Sequence, residues 1–234
     1  MKKNALLLLL LLIFSCDKEQ HDLTVKVNIK DLKKGNVYLK KVNDSTLITV
    51  DSLIISGNSE FELHSALESP EMFYLYLDKN DNVERKVSFF ADNGITEINT
   101  SLKNFEIDCK IVGSEQQKIL EEYQKVQSRF NGQNLDLIKE NYDAQIEGDT
   151  VKSLALKEQN NNLIKRKYLY TVNFAMNHKD SEVSPYLALT QIYDANVKWL
   201  DTINNSLTPK VKASKYGKEL QRFIDDIKNE NTAK

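Results

Sequence analysis

A chain of 234 residues holds enough for one large domain or two small ones, and 41% hydrophobic with 28% charged residues suits a packed core under a wet surface. The formal net charge of −2, with a densest basic run of only Lys165-Arg166-Lys167, excludes the clustered positive charge that nucleic-acid phosphates require. Two cysteines, one of them close behind the N-terminus, exclude an internal disulfide framework.

Lys2 and Lys3 precede an almost pure leucine run over residues 5–14, closed by Ile13-Phe14-Ser15-Cys16. A charged start, a short apolar stretch and a small residue before the cleavage point mark an export signal. The run is shorter than the roughly 20 residues that a bilayer core takes. With a cysteine after Ser15, the segment resembles a bacterial lipoprotein signal. By that resemblance residues 1–15 are removed, and Cys16 is lipidated and becomes a membrane anchor. Residues 16–22 are too charged to pack and read as a solvated tether. Their acidic residues also resemble the surface-export signals of some Bacteroidota-type lipoproteins.

From Leu23 the apolar period is two, with Leu23, Val25, Val27 and Ile29 alternating with polar neighbours as in a half-buried strand. Further strands are expected over residues 37–42, 47–55, 61–63, 72–77, 83–91, 95–100 and 105–112. Gly, Asn and Asp punctuate the turns between them. Residues 72–77 are apolar on both faces, as a central strand would be. Even spacing of short strands predicts an antiparallel β-sandwich or partly open barrel over residues 23–112.

At Gly113-Ser114 the period becomes 3.6 and stays so to the end, predicting a helical bundle over residues 113–234 and an α+β fold for the whole. Ser114 with Gln117 has the spacing of a reciprocal capping box. Ile119, Tyr123, Val126 and Phe130 form one stripe ending near Gly132. Leu135, Ile138, Tyr142 and Ile146 form a second, stopped by Gly148. Asp149 caps a third helix to about residue 177, completing a long helical hairpin whose polar middle, residues 157–162, projects into solvent. Ser184 is read as an N-cap followed by proline at the first helical position. A short helix around Trp199 and an amphipathic last helix carrying Tyr216, Leu220, Phe223, Ile224 and Ile227 close the series.

Chemistry-bearing patterns are few. His21, His64 and His178 stand at no zinc-ligand spacing, and each reads as a surface or capping group. There is no Gly-x-Ser-x-Gly elbow and no glycine-rich phosphate loop. Asp78, Asn80 and Asn82 match the opening of a calcium loop, but Val83 stands where that loop needs glycine and Phe89 where it needs glutamate. Cys109 alternates with Phe105, Ile107 and Ile111, on the apolar face of a strand. It is a small core residue or, on the sharper reading, a thiol for crosslinking to a partner. Phe73, Tyr74, Tyr76, Phe89 and Phe90 read as cross-sheet packing, with a ligand-lining face as the alternative. Four Asp-Ser/Thr-x stretches resemble a Bacteroidota O-glycosylation sequon, and Ser45 and Thr150, at predicted turns, are the candidate acceptors.

Taken together, Gly35-Asn36-Val37-Tyr38-Leu39, Asp51-Ser52, Gly57 to Phe61, Gly113-Ser114, Ser184-Pro185-Tyr186 and Ser214-Lys215-Tyr216-Gly217-Lys218-Glu219-Leu220 resemble a known module. It is the domain of unknown function, DUF4369-type, that precedes the thioredoxin-like domain in TlpA/AhpC-type lipoproteins of Bacteroidota. No residue here corresponds to the Cys-x-x-Cys site of that second domain, so its redox activity does not carry over. The resemblance and the residues lead to one expectation: a non-catalytic lipoprotein of the cell envelope, anchored in the outer membrane on its periplasmic face or at the cell surface. It needs no cofactor, binds a ligand or an envelope protein partner, and takes no nucleic acid. The alternative is a redox accessory that recruits a separate thioredoxin-like protein in trans. A third class is a purely structural surface lipoprotein.

Overall fold

A computed structural model describes residues 21–232. Eight strands come first: β1 Leu23–Lys30, β2 Lys34–Asn43, β3 Thr46–Ser56, β4 Glu60–Ser65, β5 Glu71–Asp78, β6 Lys86–Ala91, β7 Gly94–Ser101 and β8 Lys110–Val112. They form two open four-stranded sheets, ordered β4-β1-β7-β8 and β3-β2-β5-β6. The period-2 strands turn Val25, Val27, Ile29, Leu39, Leu75 and Ile98 into one core between the sheets, where Phe73 stacks on Phe89 at 6.0 Å. The α+β sandwich of the sequence reading is therefore what forms. One pair departs from antiparallel: β1 runs parallel to β7, in register from Leu23 opposite Gly94 to Lys30 opposite Ser101.

Two strands are shorter than their sequence pattern. Residues 83–85 stay outside β6, because Asp78 Oδ1 accepts from Asn80 N and Arg85 forks onto both oxygens of Asp81. Residues 102–108 turn rather than extend. Thr100 Oγ1 donates to the Phe105 carbonyl at 2.7 Å, and Ser101 Oγ donates to Asp108 Oδ2 at 2.9 Å. These side chains offer the backbone a local alternative to a ladder. Ile107 is consequently 85% exposed, and Cys109 precedes β8 instead of lying within a long strand.

The helices are α1 Glu115–Ile146, α2 Thr150–Asn177, α3 Val183–Gln191, α4 Val197–Ser206, α5 Pro209–Ala213 and α6 Lys215–Thr232. Gly113 makes the switch from strand to helix, with φ of 98° and the Ile95 carbonyl lying where a Cβ would sit. Ser114 Oγ accepts from Gln117 N at 3.0 Å, but Gln117 does not return the bond. Its Oε1 accepts from Phe90 N of β6 at 2.8 Å instead, tying sheet to helix. Gly132 does not end a helix. Nothing lies within 4 Å of the place a Cβ would take there, and α1 absorbs the cost of about 1 kcal/mol and runs 32 residues. Gly148, at φ 73°, and Asp149, whose Oδ1 accepts from Lys152 N, join α1 to α2 as an antiparallel hairpin. Helix α3 begins one residue before Ser184. That hydroxyl donates to the carbonyls of Ala175 and His178 at the end of α2 rather than capping its own helix.

The helices lie against the far face of β5 and β6, where Met72, Phe90, Leu120, Tyr123, Phe174, Leu187 and Tyr216 share a second core. A third core, built from Val172, Leu200, Ile203, Val211, Leu220 and Ile224, holds the helices to one another.

A charged cleft where sandwich meets helices

Glu71 opens β5 directly after Pro70, and only 4% of it is exposed. A carboxylate so placed needs positive partners close by. Lys41 of β2 supplies one at 2.8 Å to Oε1, and Lys215, the first residue of α6, supplies the other at 2.5 Å to Oε2. Lys215 Nζ also donates to the Val42 carbonyl, and its backbone N–H donates to Ser69 Oγ at 3.2 Å. Beside it Tyr216 Oη accepts from Met72 N at 3.1 Å. Burial holds its phenol well above the ordinary tyrosine range, against the downward pull of the Met72 N–H on the same oxygen. These contacts fasten the start of α6 to the start of β5.

Above this fastening opens a cleft of about 1110 Å³. One wall comes from the ends of β2 and β5 and from the turn holding Asp92. The other comes from Gln116, Glu182, Lys210 and the first turns of α6. Asp92 Oδ2 caps α1 by accepting from Glu115 N and Gln116 N at 2.7 and 3.2 Å. Its Oδ1 is buried without a hydrogen-bond partner among the described residues. Glu182, at the N-cap of α3, is 1% exposed, and burial raises its carboxyl pKa while Lys210 opposes the shift. Burial likewise raises Glu219, against the pull of Lys215 and Arg222. Lys218 and Arg222 stand at the rim as exposed cations. The result is a polar cleft with charges of both signs fixed on two walls. It suits a ligand or chain segment that itself carries both donors and acceptors.

The residues singled out from sequence do not gather here. Cys16 lies outside the described residues. Ser45, at φ 70°, is exposed in the turn between β2 and β3, and Thr150 is exposed in the first turn of α2. Asp51-Ser52 lies within β3 and Asp201-Thr202 within α4. Cys109 is a free thiol packed against the sandwich core, and burial pushes its pKa up to about 11. His64 stacks on His21 at 4.4 Å and faces Thr24 Oγ1. His178 is the C-cap of α2, with Nδ1 on the Phe174 carbonyl at 2.9 Å. Of the five aromatics, Phe73, Phe89 and Phe90 are fully buried, and Phe90 meets Tyr186 and Tyr216 edge to face. No group of three or more metal-ligating side chains occurs among the described residues.

Glu71, Lys215, Asp92 and Glu182 were not readable as a site. The available signal was Glu71 itself, an acid opening a strand that is apolar on both faces. Residues 23–120 match the family model described as Domain of unknown function (DUF4369), a span that covers both sheets and the first turns of α1. No curated protein matches the chain.

Proposed function

We propose that this chain, whose residues 23–120 form a DUF4369-type domain, is a non-catalytic binding module of the cell envelope, held at the outer membrane by lipid on Cys16, and that it takes its partner or ligand in the charged cleft. The observation that carries the reading is the cleft itself, whose charged groups come from both the sandwich and the helices. Its buried carboxylate Glu71 is committed to two lysines and is not poised to move a proton. No helix among the described residues is long and apolar enough to cross a membrane.

The redox-accessory reading gains nothing from Cys109. A thiol with its pKa near 11 stays protonated at neutral pH and is a poor nucleophile for a mixed disulfide.

The test is to recover the lipid-anchored protein from its own envelope and identify what accompanies it by mass spectrometry. A comparison chain carries Lys218→Glu and Arg222→Glu, two rim cations outside the Glu71 fastening. A companion that is captured by the native chain and lost from this variant supports the reading. Turnover in a broad hydrolase screen, or capture indifferent to the rim charges, defeats it. Metabolic labelling with palmitate, lost in Cys16→Ala, checks the anchor.

A further inference from the structure

Beyond Gln127 of α1 and before Tyr168 of α2, the hydrogen bonds of the helical hairpin among the described residues are made within the hairpin, so residues 128–166 stand out as an arm. Apolar side chains stand both in its seam and on its outer surface. The seam between the helices holds Leu137, Ala144, Leu156 and Leu163 together with Asn134, Asn141, Ser153 and Asn160, with Ser153 Oγ donating to Asn141 Oδ1 at 2.8 Å and Asn160 Oδ1 left unpartnered. Leu135, Ile138, Tyr142 and Leu154 stand outside it, each between 54% and 68% exposed. An amphipathic helix ordinarily keeps such side chains on its packed face.

These four side chains share one side of the arm. Each follows a seam position by one residue, a rotation of about 100°. Because the helices are antiparallel, that rotation leads to the same side on both. The Asn141–Ser153 contact sets Tyr142 beside Leu154. A stripe of this kind on a projecting arm calls for a covering surface.

Charge selects the cover. The tip half of the arm, residues 138–156, carries Glu140, Asp143, Glu147 and Asp149 against Lys139 and Lys152, a net −2. The root half, residues 128–137 and 157–166, carries Arg129, Lys157, Lys165 and Arg166 against Asp136 and Glu158, a net +2. Two arms laid antiparallel therefore place each acidic tip on a basic root, and laid parallel they place like on like. An arm about 30 Å long and two helices wide offers roughly 600 Å² per copy, near the lower bound of specific interfaces.

We propose that the chain forms a two-fold symmetric dimer in which the arms of two copies pack antiparallel through Leu135, Ile138, Tyr142 and Leu154. Such a pairing is self-complementary and closes.

Sedimentation equilibrium of the full chain in density-matched detergent, at about 50 µM, is the test. The expected mass is twice that of one chain, falling to one chain in Ile138→Glu with an unchanged far-UV circular dichroism spectrum. A charge swap guards against trivial misfolding. A chain with Lys157→Glu and Lys165→Glu and a chain with Glu140→Lys and Asp143→Lys each lose self-association, yet form a mixed dimer when combined. A single-chain mass for the native protein, a dimer indifferent to Ile138→Glu, or failure of the mixed pair overturns the proposal. So does an arm that instead binds lipid vesicles or a different protein while the chain stays monomeric.

Discussion

The interior of the sandwich and the junction beneath the helices are both buried, but they are made of different material. Between the sheets the core is aliphatic and aromatic, supplied by alternate residues of the paired strands. Many hydrophobic sets of similar volume would fill it. The junction mixes aromatic rings with Glu71, Gln117 and the Tyr216 hydroxyl, each bonded to one named partner across the boundary. A hydrophobic face alone tolerates sliding. Directional bonds to buried groups fix where α1 and α6 sit, and the cleft inherits its shape from that seating.

The sharpest way to break this contrast is to injure each side separately. Phe73→Ala, emptying a fully buried site between the sheets, is expected to cost about 4 kcal/mol in urea unfolding. A loss under about 1 kcal/mol would mean the sandwich core is not the main store of stability. Glu71→Ala leaves Lys41 and Lys215 facing each other without their carboxylate, and a loss of about 3 kcal/mol is expected, less than for Phe73 because both lysines reach solvent. Amide exchange should then show α6 loosened while the sandwich strands keep their protection. Equal loosening of both would erase the distinction between the regions.

The smallest effect concerns pH. Burial raises the carboxyl pKa of Glu182 in the folded state, so the folded chain holds that proton more readily than the unfolded one. This contribution to stability is complete below the ordinary glutamate range and is lost as pH rises through the raised pKa. Glu182→Gln should accordingly melt slightly higher than the native chain at about pH 7, with the difference vanishing near about pH 4. A variant that melts lower at neutral pH would show the ionised carboxylate to be a needed partner of Lys210.

Much of the fold was readable because its signals are local. Alternation in residues 23–29 and the double-faced apolar run of β5 announced the sandwich. The Ser114 and Asp149 caps marked two helix starts within three residues of their partners. Misreadings arose where a local signal met a competing one. Alternation from Phe105 to Ile111 predicted a strand, but Thr100 and Ser101 drew those residues into turns. Gly132 looked like a stop, but continuous seams on both sides of it carried α1 through. Ser184-Pro185 looked like a helix start, but the Ser184 hydroxyl was taken by carbonyls of α2.

By itself the sequence determined the α+β order, the point at Gly113 where strands give way to helices, and the helical hairpin that turns at Gly148. Each depends on periodicity and caps that act over one or two turns of chain. The tertiary structure alone decided the Glu71 fastening, the cleft above it and the outward stripe of the arm. Glu71 and Lys215 lie 144 residues apart, and no window of sequence pairs them. Periodicity likewise reports that Leu135, Ile138 and Tyr142 share a face, whereas only the packed hairpin reveals that this face points away from its partner helix.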